Sequence, residues 1–281
     1  GSVFLGGQLN TLNISGDAHL FIDGDLDASF RDGTPVTIDA SENTGGVTLE
    51  LSGSLVATFL GSQADDRVVL QAVSAVTLEG NGGDNVYSVE TETATVTVLD
   101  GNNQLTVDAE DVNVTAGDGD NTITAEDATT VVVATGNGDN TISTDDSESV
   151  TITTGTGDDT ISSLGSESVT ITSEGGDNTI DVSADEMAIT TGDGNDTITV
   201  SGTDDNAAID GDGNTDALVN ITTGAGDDTV VLGRDSAGIT ALEGSSISGE
   251  NITLYVENPS DLRAAELEGI SNVVINYDIS D

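Results

Sequence analysis

Cysteine, lysine and tryptophan are absent from this 281-residue chain, which also has only two prolines, three tyrosines, four phenylalanines and one histidine. Without cysteine there is no disulfide framework and no thiolate metal site; in a calcium-rich extracellular setting, bound metal is the staple that could stand in. Four bases, all arginine (Arg31, Arg67, Arg234, Arg263), face 52 Asp and Glu, for a formal net charge of −48. Between Arg67 and Arg234 there is no positive side chain at all. Nothing in such a chain can replace the counterions of a phosphate backbone, which excludes nucleic acid as a partner. Anionic membrane surfaces are excluded on the same ground. No apolar run approaches the ~18 residues of a membrane span, so direct membrane insertion is not expected, and no charged-then-apolar leader opens the sequence. A chain that begins Gly-Ser is expected to be a fragment, a processed product or a tagged one.

A composition this acidic ordinarily means disorder. Here Val, Ile and Leu recur at regular spacing, which disorder does not require. The charge then calls for external cations, either bound divalent ions or concentrated salt. A halophilic surface is the alternative, but acids that only screen would scatter, whereas many of these sit at fixed places in a repeat.

The repeat is explicit. Gly117-Asp118-Gly119-Asp120-Asn121-Thr122-Ile123 returns as Gly136-Asn137-Gly138-Asp139-Asn140-Thr141-Ile142 and as Gly155-Thr156-Gly157-Asp158-Asp159-Thr160-Ile161. It returns again at Gly192–Ile198 and Gly224–Val230, with degenerate copies ending at Val68, Tyr87, Leu105 and Ile180. The closing apolar residue falls at 68, 87, 105, 123, 142, 161, 180 and 198, in steps of 18 or 19. A second rank (Leu78, Val96, Val114, Val133, Ile152, Ile171, Ile189) runs in phase with it. Each rank lies in alternating stretches such as Val150-Thr151-Ile152-Thr153, the signature of a half-buried strand. Each coil therefore holds two short strands, joined by a Gly-Asp turn and by a second Ser/Ala/Glu-rich turn. Gly, Thr, Asp and Asn are poor helix formers. The expected fold is all-β, a right-handed parallel β-solenoid (β-roll or β-helix) of 18–19-residue coils with capping segments, since one coil alone cannot bury its apolar face.

The turn resembles the nonapeptide Gly-Gly-x-Gly-x-Asp-x-U-x of the RTX (repeats-in-toxin) family, U being a large apolar residue. Thr154-Gly155-Thr156-Gly157-Asp158-Asp159-Thr160-Ile161-Ser162 matches it everywhere but the first position, and the resemblance spans roughly residues 61–232. It implies Ca²⁺ held between successive coils by turn carbonyls and the sixth-position Asp, chemistry that suits an ion taking six to eight oxygen ligands. Carried over residue by residue, the implied ligands are Asp66, Asp159, Asp196 and Asp228, with turn glycines Gly155, Gly157, Gly192, Gly194, Gly224 and Gly226. Two departures stand out. Only one turn of each coil carries the motif, as in one-sided calcium repeats of bacterial adhesins. The sixth position is also often Asn, as at Asn121 and Asn140, which brings a carbonyl oxygen but no charge. An asparagine ladder without metal is the alternative there, and the fifth-position acids Asp120, Asp139, Asp158, Asp177 and Asp227 could add charge.

Three segments follow: β-rich N-terminal coils and cap (1–60), the repeat array (61–232) and a C-terminal cap (233–281). Aromatics gather at the ends (Phe4, Phe21, Phe30, Phe59, Tyr87, Tyr255, Tyr277), as caps would require. The step from Ile198 to Val230 is 32 residues, with Gly211–Asp216 read as an inserted acidic loop. Pro259–Leu267 has helical character, and Val273-Val274-Ile275 supplies a last strand.

An enzyme acting on polysaccharide, known from some β-helices, would need a base or an aromatic platform that this array lacks. His19 reads as an ordinary surface or core residue. Carboxylate pairs recur in too many turns to mark one catalytic centre. Ice binding would need a rank of identical outward side chains, and the third turn position (Asp118, Asn137, Thr156, Gly175, Asp193, Ala225) is not one. The expectation is a non-enzymatic structural protein of the cell exterior (surface layer, filament, adhesin stalk or virion fibre). Its partners would be copies of itself joined through Ca²⁺, or a surface polysaccharide; an ice- or carbohydrate-binding module is the runner-up.

Overall fold

A computed structural model describes residues 11–25, 36–52, 57–201, 218–232, 245–256 and 266–275. Nineteen strands and no helix occur among them, and the registered pairings are all parallel. This is the expected β-solenoid. The chain divides into two compact units, residues 1–136 and 137–281.

In the first unit, β1 (Thr11–Gly16) and β2 (Leu20–Asp25) lie beside β3 (Val36–Asn43) and β4 (Val47–Ser52). Next come β5 (Ala57–Leu60), β6 (Arg67–Gly80), β7 (Val86–Val98), β8 (Gln104–Ala116), β9 (Thr122–Glu126) and β10 (Thr130–Thr135). Thr11 pairs with Thr37 and Leu20 with Val47, steps of 26 and 27 residues, whereas Thr48 pairs with Arg67, a step of 19. The loose N-terminal periodicity thus reflects uneven steps within the same architecture, and coil stacking runs unbroken across residues 60 and 61. Phe59 is buried edge-to-face against Tyr87, ring centroids 6.3 Å apart, so these two rings fill the core and do not close an end. Phe21, by contrast, is 60% exposed; Phe4 and Phe30 lie outside the described residues.

The second unit contains β11 (Thr141–Asp145), β12 (Ser149–Thr156), β13 (Thr160–Gly175), β14 (Thr179–Thr190) and β15 (Thr197–Ser201). It continues with β16 (Leu218–Thr222), β17 (Thr229–Leu232), β18 (Ser246–Val256) and β19 (Glu266–Ile275). Ile198 pairs directly with Val230, and Ile189 with Ile221. The long step therefore leaves the stack intact: its extra residues fall between β15 and β16, in the second turn, and 202–217 lie outside the described residues. Of the segment expected to be helical, Glu266 and Leu267 open a strand, and 259–265 lie outside the described residues.

Both apolar ranks are buried in both units, because alternation along each strand sends every second side chain inward. Val68, Tyr87, Leu105 and Ile123 stack in register in the first unit, as do Ile142, Ile161, Ile180, Ile198 and Val230 in the second. The second turn has no single shape. In β6 and β13 the strand runs through it with a register shift, at Leu70/Val73 and Ser163/Ser166, whereas Asp127 and Asp146 turn it with φ of 56° and 51°.

Candidate metal-binding turns

The Gly-Asp turn stacks on itself coil after coil, and alternation decides which way each position faces. Positions one and six point inward; positions three and five face solvent, except that Gly82 is half-buried and Gly175 buried. All nine sixth-position side chains are buried to 2% exposure or less: Asp66, Asn85, Asn103, Asn121, Asn140, Asp159, Asn178, Asp196 and Asp228. The fifth-position acids Asp120, Asp139, Asp158, Asp177 and Asp227 are exposed. Fifth- and sixth-position residues thus lie on opposite faces of the turn, and the structure does not bring them together.

Glycine at the fourth position is what permits the stacking. Gly157 has φ +141°, a region side chains rarely adopt, and a Cβ there would overlap the carbonyl oxygen of Gly138 in the preceding coil. Gly194 and Gly226 repeat this against Gly176 and Gly194. Gly155, Gly192 and Gly224, at the second position, are half-buried.

Inside, the sixth-position side chains form a ladder. In the first unit the backbone N–H of Asp66 donates to Oδ1 of Asn85 (3.0 Å), that of Asn85 to Asn103 (3.1 Å) and that of Asn103 to Asn121 (3.1 Å). In the second unit Asn140 donates to Asp159 (2.9 Å), Asp159 to Asn178 (3.1 Å), Asn178 to Asp196 (2.9 Å) and Asp196 to Asp228 (3.0 Å). The asparagine ladder held open by the sequence is therefore present, with Asp and Asn playing the same Oδ1 role in it. Each Asn also spends its amide N–H groups on the turn: Asn121 Nδ2 donates to the carbonyls of Gly119 (2.9 Å) and Gly117 (3.2 Å). Asn140 and Asn178 bond Gly138 and Gly176 in the same way, both at 2.9 Å.

Where the rung is Asp, the second oxygen has no amide hydrogens. Asp66 is rescued by Ser62, whose N–H donates to Oδ2 (2.7 Å) and whose hydroxyl donates to Oδ1 (2.7 Å), while Val47 N–H adds a third bond (2.8 Å). Burial pushes the Asp66 carboxyl above its ordinary value, and those bonds together with His19 oppose the shift. His19 itself is exposed and bonds Gly45 and Thr48. Asp159 Oδ2 has one long contact, the Ser173 hydroxyl at 3.4 Å. Asp196 Oδ2 and Asp228 Oδ2 are buried with no hydrogen-bond partner. Burial pushes the Asp228 carboxyl up as well; Thr223 and the Asp196 N–H oppose this, while the charges of Asp196 and Asp227 add to it.

Outside, the fifth position makes a second ladder of opposite sense. Asp158 N–H donates to Asp139 Oδ1 (2.8 Å), Asp177 to Asp158 (2.7 Å), Asn195 to Asp177 (2.7 Å) and Asp227 to Asn195 (2.9 Å). In the first unit Asp84, Asn102 and Asp120 do the same upon Asp65, Asp84 and Asn102. Neighbouring carboxylates are thus held one coil apart, about 4.8 Å in backbone spacing. At that separation each like-charged pair repels by on the order of 1 kcal/mol even in water, and more where protein displaces water. Among the described residues no three carboxylate or histidine side chains converge on one point. An ion at these turns would therefore take most of its ligands from carbonyl, amide and hydroxyl oxygens, which the inward-facing turn supplies.

Two features were not found from the sequence. First, position one is hydroxyl-bearing throughout the second unit (Thr154, Ser173, Thr191, Thr223), where the first unit has Gly61, Gly80, Val98 and Ala116 before Thr135. These buried hydroxyls sit beside the sixth-position side chain, as Ser173 Oγ does 3.1 Å from Asn178 Oδ1; the departure from glycine was the available signal. Second, a rank of outward threonines exists, at position seven rather than three: Thr141, Thr160, Thr179, Thr197, Thr229 and Thr253 pair in register over six coils. No protein-family model matches the chain, and no curated protein or solved structure is significantly similar to it.

Proposed function

We propose that the chain is a non-enzymatic structural protein of the cell exterior, a β-solenoid whose stacked acidic turns are held together by Ca²⁺. The observation that carries this reading is the outward file of carboxylates at the fifth turn position, interrupted only by Asn102 and Asn195, with no basic side chain between Arg67 and the end of β17. Such a file stores repulsion that divalent ions relieve. The same chemistry recurs in most coils, with Asn102 and Asn195 as the neutral exceptions, as suits a stacking material, whereas a catalytic centre needs one place unlike the others. The RTX-like turn agrees with calcium as the ion, and a surface layer, filament or adhesin stalk is the setting such a material fits.

The test compares circular dichroism and melting of the intact chain in chelator, in millimolar Ca²⁺ and in concentrated NaCl. Calcium should raise the melting temperature well beyond what sodium achieves. Identical spectra and melting points in chelator and Ca²⁺ at moderate salt would remove calcium from the reading. The threonine rank favours a second reading, an ice- or carbohydrate-binding face, which measurable thermal hysteresis or retention on immobilised glycan would support. Asp181 interrupts the neighbouring ninth-position file of Ser143, Ser162 and Thr199, which counts against it.

A further inference from the structure

Strand alternation sends the residues on either side of the second apolar rank to solvent. In the second unit the residue after that rank is Thr153, Thr172, Thr190, Thr222 and Ser248, paired in register over five coils. The residue before it makes a neighbouring file of Thr151, Thr170, Ala188, Asn220 and Ser246. All ten side chains are exposed or half-buried; nine carry a hydroxyl or an amide, and none is charged. The two files lie about 7 Å apart along the strand, and their members about 4.8 Å apart from coil to coil. Strand formation does not force this neutrality. In the first unit the same places hold carboxylates, Asp39 after Ile38 and Glu79 after Leu78, in strands that keep their pairing. In the second unit the files meet carboxylates only at Glu266 and Glu268, beside Ser246 and Ser248. The other acids of these coils line the margins of the face: Glu148, Glu167 and Glu186 toward one turn, Glu174 and Asp177 toward the other.

We propose that this face binds an uncharged, extended β-linked polysaccharide laid across the coils. Charge selects the partner. The acidic margins repel an anionic polymer, a basic partner would settle on the margins and not between them, and a second copy brings its own net charge of −48. An uncharged polymer rich in hydroxyls meets none of these costs. Each Ser or Thr hydroxyl offers one donor and two acceptor lone pairs, and β-branching holds the threonines in few rotamers, so little freedom is lost on binding. Side chains of adjacent coils lie within reach of one another, as Ser246 Oγ donates to Asn220 Oδ1 at 3.0 Å; a ligand bridging two coils thus finds both ends of its bridge in place. An open sheet face cannot enclose a small sugar, since small-ligand sites are concave. It can hold a polymer whose residues recur at close to the coil spacing, because each contact raises the effective concentration for the next. This goes beyond the calcium reading and does not rest on it.

The experiment measures retention of the whole chain on amorphous cellulose, β-mannan and xylan, with alginate as the anionic comparator. It is run in millimolar Ca²⁺ and again in concentrated NaCl, so that failure of the calcium reading shows separately as a loss of folding in NaCl or its absence. The parent should bind at least one of the three neutral glycans and not alginate. Thr172→Glu/Thr190→Glu puts charge at the centre of the face, at places where the first unit carries Glu79, and should weaken binding at least tenfold with an unchanged circular dichroism spectrum. Thr172→Ala/Thr190→Ala removes the two hydroxyls without adding charge and should weaken it several-fold, which keeps the test open should the Glu variant not fold. Thr160→Glu/Thr179→Glu, on the other sheet, should bind as the parent does. A folded parent that none of the three neutral glycans retains overturns the inference, and thermal hysteresis or self-association lost in Thr172→Glu/Thr190→Glu would then give the face to ice or to a second copy. Binding that survives both substitutions on this face, or that Thr160→Glu/Thr179→Glu abolishes, overturns it too.

Discussion

Adjacent glycines in one turn do different jobs. Gly83 has φ +82°, and a Cβ on it would lie 2.6 Å from the carbonyl carbon of Ala64 and the nitrogen of Asp65 in the neighbouring coil. Gly82 has an ordinary φ, and a Cβ there would come no nearer than 3.4 Å to the Gln63 carbonyl oxygen. Gly83→Ala should therefore destabilise the first unit by at least the ~1–3 kcal/mol of a strained backbone, with the steric overlap adding to it. Gly82→Ala should be close to neutral, or gain a few tenths of a kcal/mol by restricting the unfolded chain. Urea titration of both variants at one fixed Ca²⁺ concentration measures the difference. Equal midpoints would mean that the turn relaxes and that the fourth position is not what sets coil spacing. The same contrast separates Asp from Asn at position six: one atom decides whether a buried group supplies its own donor or must find one.

The ladder is an element assembled across coils, since no single turn can satisfy it. Asn103 accepts the Asn85 N–H through Oδ1 and the Asn85 amide through the same atom (3.0 Å), while its own Nδ2 holds the Gly101 carbonyl. Asn103→Ala strands several buried groups at once, each worth about 1–3 kcal/mol when left unsatisfied, so a loss of a few kcal/mol is expected. Hydrogen exchange at Asn85 should report it directly, and unchanged protection there would show that the ladder is not holding the turn. Spacing and alternation made the strands, both apolar ranks and the stacked turn legible in the sequence, because inward positions recur at a period that side-chain chemistry alone reveals. Facing was harder. Asp158 and Asp159 look like one acidic pair until strand alternation places one in solvent and the other in the core. The N-terminal coils were obscured because their steps are uneven, 26 residues from Thr11 to Thr37 and 21 from Thr37 to Thr58, so Thr11 finds Thr37 only in three dimensions. Thr191 and Thr223 went unnoticed because a buried hydroxyl and an outward one read alike.

At the scale of the whole chain, net charge opposes association, while the terminal strands among the described residues favour it. A net charge of −48 with four arginines repels every other copy of the same chain. Yet β1 and β2 at one end of the described residues register only with β3 and β4, and β19 at the other end only with β18. Edge strands with unpaired N–H and carbonyl groups are templates for further strands, and Phe21, Leu267 and Val273 add exposed apolar area near them. Removing the repulsion should thus release association that the edges favour, and a divalent ion does this better than sodium because it can bridge carboxylates of two chains. Chain folded at low Ca²⁺ and then titrated should form ordered assemblies, with residues 1–60 and 233–281 supplying most of the contacts between copies. Light scattering follows the growth and electron microscopy the order. Sheets or filaments that dissolve in chelator, and that concentrated NaCl does not reproduce, fit a self-assembling surface material. A chain that stays monomeric at high protein concentration in millimolar Ca²⁺ would shift the reading to a stalk segment. Its calcium would then stiffen one polypeptide without joining many.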